Sequence, residues 1–358
     1  MTHWTLLPAS ALGAHARQWQ ALNDAGPASP LLDLEFVQPA LTEFGTGKEL
    51  LAIGQSGADI VAMAILTPCR TGAWETFQPS QAPIGMWMTL PGINLELALG
   101  TLTGALPGLP LVIGVTQCDP YLMARPASSG ALHTIDYINT ARITIAGDFE
   151  QYWAARGKNL RNNLKKQRAR LIKENIAVRM ETVRAPELMA AAIADYGRLE
   201  SAGWKAEGGT AIHPDNAQGR FYRSMLEGFC RRDAASVIRY WFDDKVVAMN
   251  LCIEGHQRLI VLKTTYDESV PSHYSPAFLM REETCQHMFE EKKFAALEFY
   301  GKVMEWHLRW TDEVRTLYHI NSYRWPILLR LHTYVKNRGR SARPPAVAAA
   351  ADSASALE

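Results

Sequence analysis

The 358-residue sequence has few cysteines and lacks the usual phosphate-binding signatures. Its five cysteines are dispersed without a C-x-x-C pair, which argues against a structural zinc site and a disulfide framework and fits a reducing cytoplasm. No metal site is predicted. Neither G-x-x-x-x-G-K-S/T nor G-x-G-x-x-G occurs, so neither a P-loop kinase nor a dinucleotide-binding fold is supported.

The chain also has almost no net charge and no long uninterrupted apolar run. The formal net charge is +1, so no global field predicts a nucleic acid or membrane-surface partner. The most apolar region, Leu95–Val115, is broken by Pro107 and Pro110 and carries Glu96, which makes it a poor membrane span. The N-terminus lacks the basic start and apolar stretch of a signal peptide. We therefore expect a cytoplasmic protein without a membrane span, and the sequence leaves its oligomeric state open.

The length of the chain predicts two domains, and its composition changes after Gly147. We predict an N-terminal domain over residues 1–146, a second domain over 147–336 and a disordered tail over 337–358. The elements predicted in the first domain are a hairpin (Glu49–Gly54 with Asp59–Thr67), a helix (Leu95–Leu106), a buried strand (Leu109–Val115) and a strand pair within Thr134–Ala146.

The second domain is predicted to begin with a basic helix. Asp148 can cap a helix that begins at Phe149, and residues 156–173 of this helix carry Lys and Arg but no acid. Such a run is usually a solvated face, although it would also suit an anionic ligand. The pattern that follows indicates an α+β, three-layer α/β fold. The predicted strands are Val178–Val183, Ala235–Phe242, Val246–Glu254, Leu259–Thr265, Ala296–Tyr300 and Thr316–Asn321, and the helices are Ala185–Ala202, Asn216–Cys230, Pro276–Glu291 and Arg324–Val335.

The segment Leu259–Thr284 says most about a ligand. A predicted strand, a turn-rich stretch and a helix beginning at Ser275-Pro276 follow one another. Serine can cap the first amides of a helix, and proline suits its first position because no amide is needed there. Free amides and the positive end of the helix dipole favour an anion, for which a phosphate-bearing cofactor is the expected source. The alternative is that Ser-Pro only starts a helix.

Several separated stretches of the second domain resemble stretches of one known group of proteins, and they follow one another in the same order as in that group. They are GKNLRNNLKKQRARL (Gly157–Leu171), SAGWK (Ser201–Lys205), DDKVVAMNLCI (Asp243–Ile253), KTTYDESVPSHYSPAFLM (Lys263–Met280) and LEFYG followed by LRW (Leu297–Gly301, Leu308–Trp310). Together they resemble the GNAT superfamily, and more narrowly the acetyltransferase domain associated with cellulose and exopolysaccharide biosynthesis, which is related to Fem-type peptidyltransferases. The resemblance implies a tandem of two GNAT-like domains with mixed, largely antiparallel sheets, the first domain being degenerate.

The sequence departs from the family pattern at three places. The phosphate loop Q/R-x-x-G-x-G/A is absent, and the Tyr-Ser-Pro element takes its place. Ala277 stands where relatives often carry glycine. Glu298 and His307 stand where relatives often carry aspartate and lysine, and the missing lysine bears on which acceptor the chain uses.

The resemblance implies an acyl-CoA-dependent N-acyltransferase. It would transfer acetyl from acetyl-CoA, or another acyl group, to an amine of an amino sugar or polysaccharide precursor. One alternative is a Fem-type transferase that depends on aminoacyl-tRNA. Another is a non-catalytic module that binds an anionic polymer through the basic helix 156–173. A small-molecule or glycan acceptor is the expected partner, and nucleic acid is expected only as tRNA under the first alternative.

The same resemblance assigns site residues. The cofactor arm should pair with the strand ending at Tyr266 and its neighbour starting near Ala296. General-base candidates are Asp267, Glu298 and His307, for which the alternatives are a turn-capping, a solvated and a packed residue. Tyr266 and Tyr300 could give a proton to the thiolate or simply pack. The predicted cofactor-binding residues are Lys263, Thr264, Thr265, Ser275, Pro276, Ala277, Phe278 and Leu279, and the predicted substrate-binding residues are Arg161, Trp204, Tyr300 and Lys302.

Overall fold

A computed structural model describes residues 2–201 and 212–331. Trp204, most of the SAGWK stretch and the predicted tail lie outside these residues. The strands are β1 (His3–Pro8), β2 (Leu50–Ser56), β3 (Asp59–Arg70), β4 (Ala73–Thr76), β5 (Trp87–Thr89), β6 (Val112–Cys118), β7 (Leu132–Thr144), β8 (Val178–Val183), β9 (Ala235–Phe242), β10 (Lys245–Gly255), β11 (Arg258–Tyr266), β12 (Ala296–Phe299) and β13 (Val314–Tyr323). The helices are α1 (Ala16–Ala25), α2 (Leu34–Phe44), α3 (Leu95–Ala105), α4 (Phe149–Ala154), α5 (Lys158–Lys173), α6 (Met189–Ser201), α7 (Ala217–Cys230), α8 (Pro276–Glu291) and α9 (Glu305–Leu308), and residues 326–331 are also helical.

The chain forms two compact units. The first contains residues up to Ile138 together with those from Thr316 onward, and the second is Asn139–Arg315. The predicted division after residue 146 differs from this one, because the boundary falls within β7. Residues 316–331 also group with the first unit rather than the second, since β13 pairs with β6.

In the first unit, strands β1 to β4 pair as an antiparallel series, and β5 pairs with β3. Gly57, at a φ of +63°, lies in the two-residue turn between Ser56 and Asp59, where left-handed backbone is needed. α3 then carries the chain back, so that β6 pairs parallel with β4, as a helical crossover allows. β13 pairs antiparallel with β6.

The second unit repeats this order of pairing. β8 to β11 form an antiparallel series, α8 crosses back, β12 pairs parallel with β11, and residues 142–144 of β7 pair antiparallel with β12. α5 and α8 share one buried apolar cluster with the strands, whereas α6 and α7 contact the strands without joining it. Because strand side chains alternate between faces, the helices form two layers around the sheet. The predicted fold class, a GNAT-like α/β fold with a mixed, largely antiparallel sheet, is confirmed.

Three local predictions need correction. The predicted continuous helix is two helices, α4 and α5, because Gly157 takes an extended conformation (φ −55°, ψ 135°) between them. Thr134–Ala146 contains no turn and lies mostly within the single strand β7. The buried strand predicted at Leu109–Val115 begins three residues later, at Val112. Asp148 does cap α4, its Oδ1 accepting the Gln151 N–H at 2.7 Å.

No helix in residues 2–201 or 212–331 is both long and apolar enough to cross a membrane.

Candidate functional site

β11 and β12 separate part of the way along their length. They pair from Arg258 with Ala296 to Val261 with Phe299, where β12 ends, while β11 continues to Tyr266. On its other side, β11 has a bulge against β10, which leaves Leu262 without an opposite residue. A bulge bends a strand and increases its twist. Because β12 ends at Phe299, β11 has no strand neighbour beyond Val261 on the β12 side within the described part of the chain.

The helix α8 begins beside this segment without a side-chain cap. Ser275 is left-handed (φ 42°, ψ 60°), and its Oγ donates to the Ser272 carbonyl at 2.8 Å. The predicted serine cap is therefore wrong. The Ser275 carbonyl instead accepts the N–H groups of Phe278 at 2.9 Å and Leu279 at 3.2 Å. The Ala277 N–H has no recorded partner among the described residues, and the first turn carries no acid. A single free amide and the helix dipole thus remain for an anion.

The predicted cofactor-binding side chains of β11 are held by protein contacts. The Thr264 hydroxyl donates to Asn250 Oδ1 at 2.7 Å, and Thr265 is buried. The Lys263 ammonium lies 5.9 Å from the centre of the Tyr222 ring. These contacts fix the strand, so its backbone rather than its side chains is placed to meet a ligand.

Asp267 holds the turn after β11. Its carboxylate lies 2.5 Å from the Lys245 ammonium and accepts the Ser269 N–H at 2.8 Å and the Ser269 hydroxyl at 2.6 Å. Burial alone would raise the pKa of this carboxyl, but the bonds from Lys245 and Ser269 outweigh it and lower the pKa. A low pKa and three occupied contacts make Asp267 a poor proton acceptor.

Glu298 lies at the point where β12 leaves β11, and it is not the solvated residue that the alternative interpretation expected. Its side chain is buried, with Oε2 2.8 Å from Arg315 Nη1 and Oε1 3.6 Å from Arg142 Nη1. Buried Tyr300 lies under the Arg315 guanidinium, 5.2 Å from ring centre to carbon. A carboxylate between two guanidinium groups is a compensated charge rather than an isolated one.

His307 is packed in α9. Its ring stacks on Trp306 at a 3.5 Å centroid distance and meets Phe299 edge-on at 5.2 Å. Nδ1 accepts the Met304 N–H at 3.0 Å. Burial and the charge of Arg281 lower the pKa of His307 to about 4, so the ring is neutral and its proton resides on Nε2. In this state His307 can donate a hydrogen bond from Nε2 but cannot accept a proton there.

The remaining predicted residues take different places. Tyr266, 36% exposed, ends β11, and burial and the charge of Glu268 raise its pKa, so the phenol keeps its proton at neutral pH. Lys302 is exposed just after β12. Arg161 begins α5, where its Nε donates to the Arg156 carbonyl at 3.2 Å. The structure thus places Tyr266 and Glu298 on the two strands that separate, while Arg161 belongs to the basic helix.

Sequence reasoning missed Arg281. Its side chain is only 3% exposed, on the face of α8 that packs against β12. The helical spacing of Ala277, Arg281, Thr284 and Met288 was the available signal, because it places Arg281 on the buried stripe of α8.

A surface depression of about 460 Å³ also occurs in the second unit, between Asp148 and Lys292. It lies at the C-terminal end of α8, opposite to the helix start, and so is separate from the place where the strands part.

The sequence match and the solved structures agree with this fold. Residues 158–307 match the profile of the acetyltransferase (GNAT) domain, so all of the residues from β8 to His307 lie within the match. No curated protein sequence matches the chain.

Three solved structures share the fold over most of the chain. The C-terminal domain of a putative lysylphosphatidylglycerol synthetase from Agrobacterium fabrum has a TM-score of 0.56 at 12% identity, over 91% of this chain and 96% of that one. FemX has a TM-score of 0.56 at 8% identity, over 88% and 98%. L-PGS from Bacillus licheniformis has a TM-score of 0.51 at 10% identity, over 90% and 96%. At these identities the likeness is one of fold alone.

Proposed function

We propose that this protein is an N-acyltransferase that takes its acyl group from an acyl-CoA thioester. One observation carries the proposal: β11 and β12 separate after Val261 and Phe299 beside the acid-free start of α8, inside the region that matches the GNAT domain. The open backbone of β11 suits the amide groups of a pantetheine arm. The Ala277 N–H and the dipole of α8 suit the pyrophosphate.

The reaction needs a nucleophile, a polarised thioester and a protonated leaving group. The nitrogen of a neutral amine attacks the thioester carbonyl carbon, the tetrahedral intermediate loses the thiolate as the C–S bond breaks, and the new amide releases one proton. A positioned base must take that proton, and the thiolate must receive one.

The contacts of each candidate decide these roles. Glu298 is proposed as the base because it lies on β12 where the pairing with β11 ends; its carboxylate is ion-paired with Arg315, so it takes the proton only when this pair opens. Asp267 is held by Lys245 and Ser269, and the His307 proton already sits on Nε2. Tyr266 is proposed as the proton donor to the thiolate, since its raised pKa keeps the phenol protonated and it ends the strand that lines the opening.

The acceptor is proposed to be an amine of an amino sugar or polysaccharide precursor. We assign Tyr300 and Lys302, which follow β12, as the residues that would contact it, as the resemblance implies. Acetyl is the proposed acyl group, and the size of the acyl group is tested in the same experiment by comparing acetyl-CoA with longer acyl-CoAs.

The test is ligand-dependent stability together with turnover. A ligand that binds only the folded state stabilises it by about 2.7 kcal/mol at a hundredfold excess over its Kd. Acetyl-CoA should therefore raise the melting temperature, and a panel of amino sugars should release free CoA thiol. Unchanged melting at millimolar acetyl-CoA, with no thiol release from any amine, would reject the proposed function.

The exposed cations of α5 favour a second candidate, in which the acyl donor is an aminoacyl-tRNA or the protein binds an anionic polymer. Five of these cations make no ion pair with any described residue. Arg168, by contrast, is held by Glu282 at 2.6 Å and by Glu283 at 2.8 Å, so it is not available to a ligand. The five are Lys158, Lys165, Lys166, Arg170 and Lys173.

This candidate predicts tRNA binding that weakens steeply with salt. Changing Lys165, Lys166 and Arg170 to Glu should abolish the binding. Three exposed cations of the first unit, Arg17, Lys48 and Arg70, provide a control with the same change in net charge. If both triple variants bind tRNA alike, or if no binding occurs at low salt, the second candidate fails.

A further inference from the structure

Arg281 is a buried cation without a partner. Its side chain is 3% exposed, and its Nη1 makes no hydrogen bond. No carboxylate of residues 2–201 or 212–331 forms an ion pair with it. Other buried arginines of this unit differ, since Arg315 faces Glu298 and Arg239 faces Asp195 at 2.9 Å.

The Arg281 guanidinium lies where the strands part. Its central carbon is 4.7 Å from the centre of the Phe299 ring, and Phe299 is the last residue of β12. His307 packs edge-on against the same ring. The guanidinium, Phe299 and His307 therefore form one cluster at the position where the pairing of β11 with β12 ends.

The protein contacts do not offset the burial of this charge. Burial lowers the pKa of Arg281, yet a guanidinium stays protonated in proteins. A cation over an aromatic ring gains less free energy than the burial of an ion costs. The nearby neutral groups, Tyr152, Cys252 and Cys285, carry no compensating charge. The cluster is complete only when an anion binds.

We propose that Arg281 binds a carboxylate carried by one of the protein's reaction ligands, an inference that rests on the proposed acyltransferase function. A planar carboxylate matches the two-pronged guanidinium and can form two parallel hydrogen bonds. The donor's pyrophosphate is already assigned to the N–H of Ala277. Ala277 precedes Arg281 by four residues, which is about 6 Å along α8 at the rise of an α-helix. In one case the carboxylate belongs to the end of a dicarboxylic acyl group, which then replaces acetyl as the transferred group. In the other it belongs to an amino acid that serves as the amine, which then replaces the amino sugar as the acceptor.

The experiment compares the parent with Arg281→Met, which keeps the length of the side chain and removes its charge. Calorimetry with succinyl-CoA, acetyl-CoA and free CoA tests the donor. The parent should bind succinyl-CoA at least tenfold more tightly than acetyl-CoA, and Arg281→Met should lose this preference while it binds free CoA unchanged. Arg309→Met is the matched control, because that guanidinium also lies near a ring of the site, 5.8 Å from Phe278, but is exposed.

The amine arm uses glutamate against a matched amine without carboxylates. If the carboxylate belongs to the acceptor, Arg281→Met should raise KM for glutamate at least tenfold and leave that of the plain amine unchanged. Succinate alone is titrated as a probe that needs no CoA, and it should raise the melting temperature of the parent but not of Arg281→Met.

The outcomes separate the inference from the proposed function. Without ligand, Arg281→Met should melt at the same temperature as the parent or higher, because an uncompensated buried charge has been removed. A variant that is less stable and loses affinity equally for all ligands shows a structural role and overturns the inference.

Where Arg281→Met does not fold, Arg281→Lys is used instead, because it keeps the charge and loses the two-pronged geometry. An unchanged preference for the carboxylate in Arg281→Lys also overturns the inference. If the parent binds acetyl-CoA but prefers neither succinyl-CoA nor glutamate and does not bind succinate, the inference alone is rejected. If the parent binds succinate but no CoA compound, only the proposed function is rejected.

Discussion

The two units use the same order of strand pairing but begin their crossover helices differently. In the first unit, Asn94 Oδ1 accepts the Leu97 N–H at 3.0 Å, and Glu96 adds a negative charge to the first turn of α3. In the second unit, α8 has neither a side-chain cap nor an acid in its first turn. The positive end of α3 is thus occupied by its own side chains, and that of α8 is left for a ligand.

The parallel strand pairs differ at their ends as well. Just past the last paired residues of β4 and β6, Glu75 and Gly114, the hydroxyls of Thr76 and Thr116 are 2.7 Å apart, and the Thr116 N–H donates to Thr76 Oγ1 at 3.0 Å. Gly85 passes so close that a Cβ there would lie 2.3 Å from Thr76 Oγ1. The cavity beside it has a volume of about 30 Å³, which is room for a water molecule only. In the first unit the two strands are therefore bridged by their own side chains, whereas β11 of the second unit continues past the end of its pairing with β12, which teaches that pairing order alone does not make a site.

The largest effect is expected at Glu298, where the second unit places a buried carboxylate on its parallel strand. Glu298→Gln removes the carboxylate that lies 2.8 Å from the buried Arg315 guanidinium, which should lower the free energy of unfolding by about 3 kcal/mol in urea denaturation. The equivalent position of β6 in the first unit is Gly114. Gly114→Ala should change stability little, because its Cβ would meet neighbours at 3.5 Å or more. Equal losses in the two variants would contradict the comparison.

The second effect concerns the two helix starts. Ala277→Glu puts a negative charge beside the free amide of α8, and we expect acetyl-CoA to bind about 100-fold more weakly, or about 2.7 kcal/mol, by calorimetry. Leu97→Glu makes the same kind of change in the first turn of α3 and should leave the affinity as it is. If a folded Ala277→Glu protein keeps the affinity of the parent, the phosphate assignment is wrong.

Each unit also holds a histidine whose Nδ1 accepts a backbone N–H, buried His307 in the second and half-buried His319 in the first, and these should give a smaller, pH-dependent effect. Burial lowers the pKa of His307 to about 4, and it also lowers the pKa of His319. The unfolded chain takes up a proton near pH 6.5 and the folded chain does not, so the stabilisation present above pH 6.5 is lost as the pH falls towards 4.

For His307 the expected loss between pH 7 and pH 5 is about 1 kcal/mol after a discount for solvent screening. Urea unfolding of the parent, His307→Gln and His319→Gln at both pH values measures it. The pH dependence should shrink in both variants, and a parent slope that survives in His307→Gln would show that this ring is not responsible.

The smallest effect separates the two caps. Asn94→Ala removes a side-chain cap and should cost about 1 kcal/mol of stability. Ser275→Ala should cost less than half of that, because the serine hydroxyl donates away from the helix to the Ser272 carbonyl. Thermal unfolding of the two variants compares them directly, and a larger loss at Ser275 would mean that the hydroxyl supports α8 after all.

Much of the fold could be predicted from local patterns. Alternating apolar residues identified β8 and β9 at their observed ends, and proline at the first position identified the beginning of α8. The break at Gly157 was missed because the run of basic residues continues across it. The membership of β13 in the first unit could not be predicted, since strand partners far apart in sequence leave no local pattern.

The order of strand, turn and helix that the proposed site uses was predictable, but the electrostatics of its side chains was not. The state of each side chain depends on residues brought from elsewhere, such as Lys245 against Asp267 or Arg142 against Glu298. The absence of a partner for Arg281 is likewise a property of the packed structure and not of its neighbours in sequence.

The pairing of β13 with β6 sets an order in which the protein can be completed during synthesis. The second unit is one continuous stretch, Asn139–Arg315, and all of its strand partners have been made once Arg315 has left the ribosome. The first unit begins earlier, yet the edge of β6 has to wait for Thr316–Tyr323, about 200 residues later than β6 itself. An exposed strand edge can pair wrongly with other chains, so the half that is made first is the half that stays vulnerable longest.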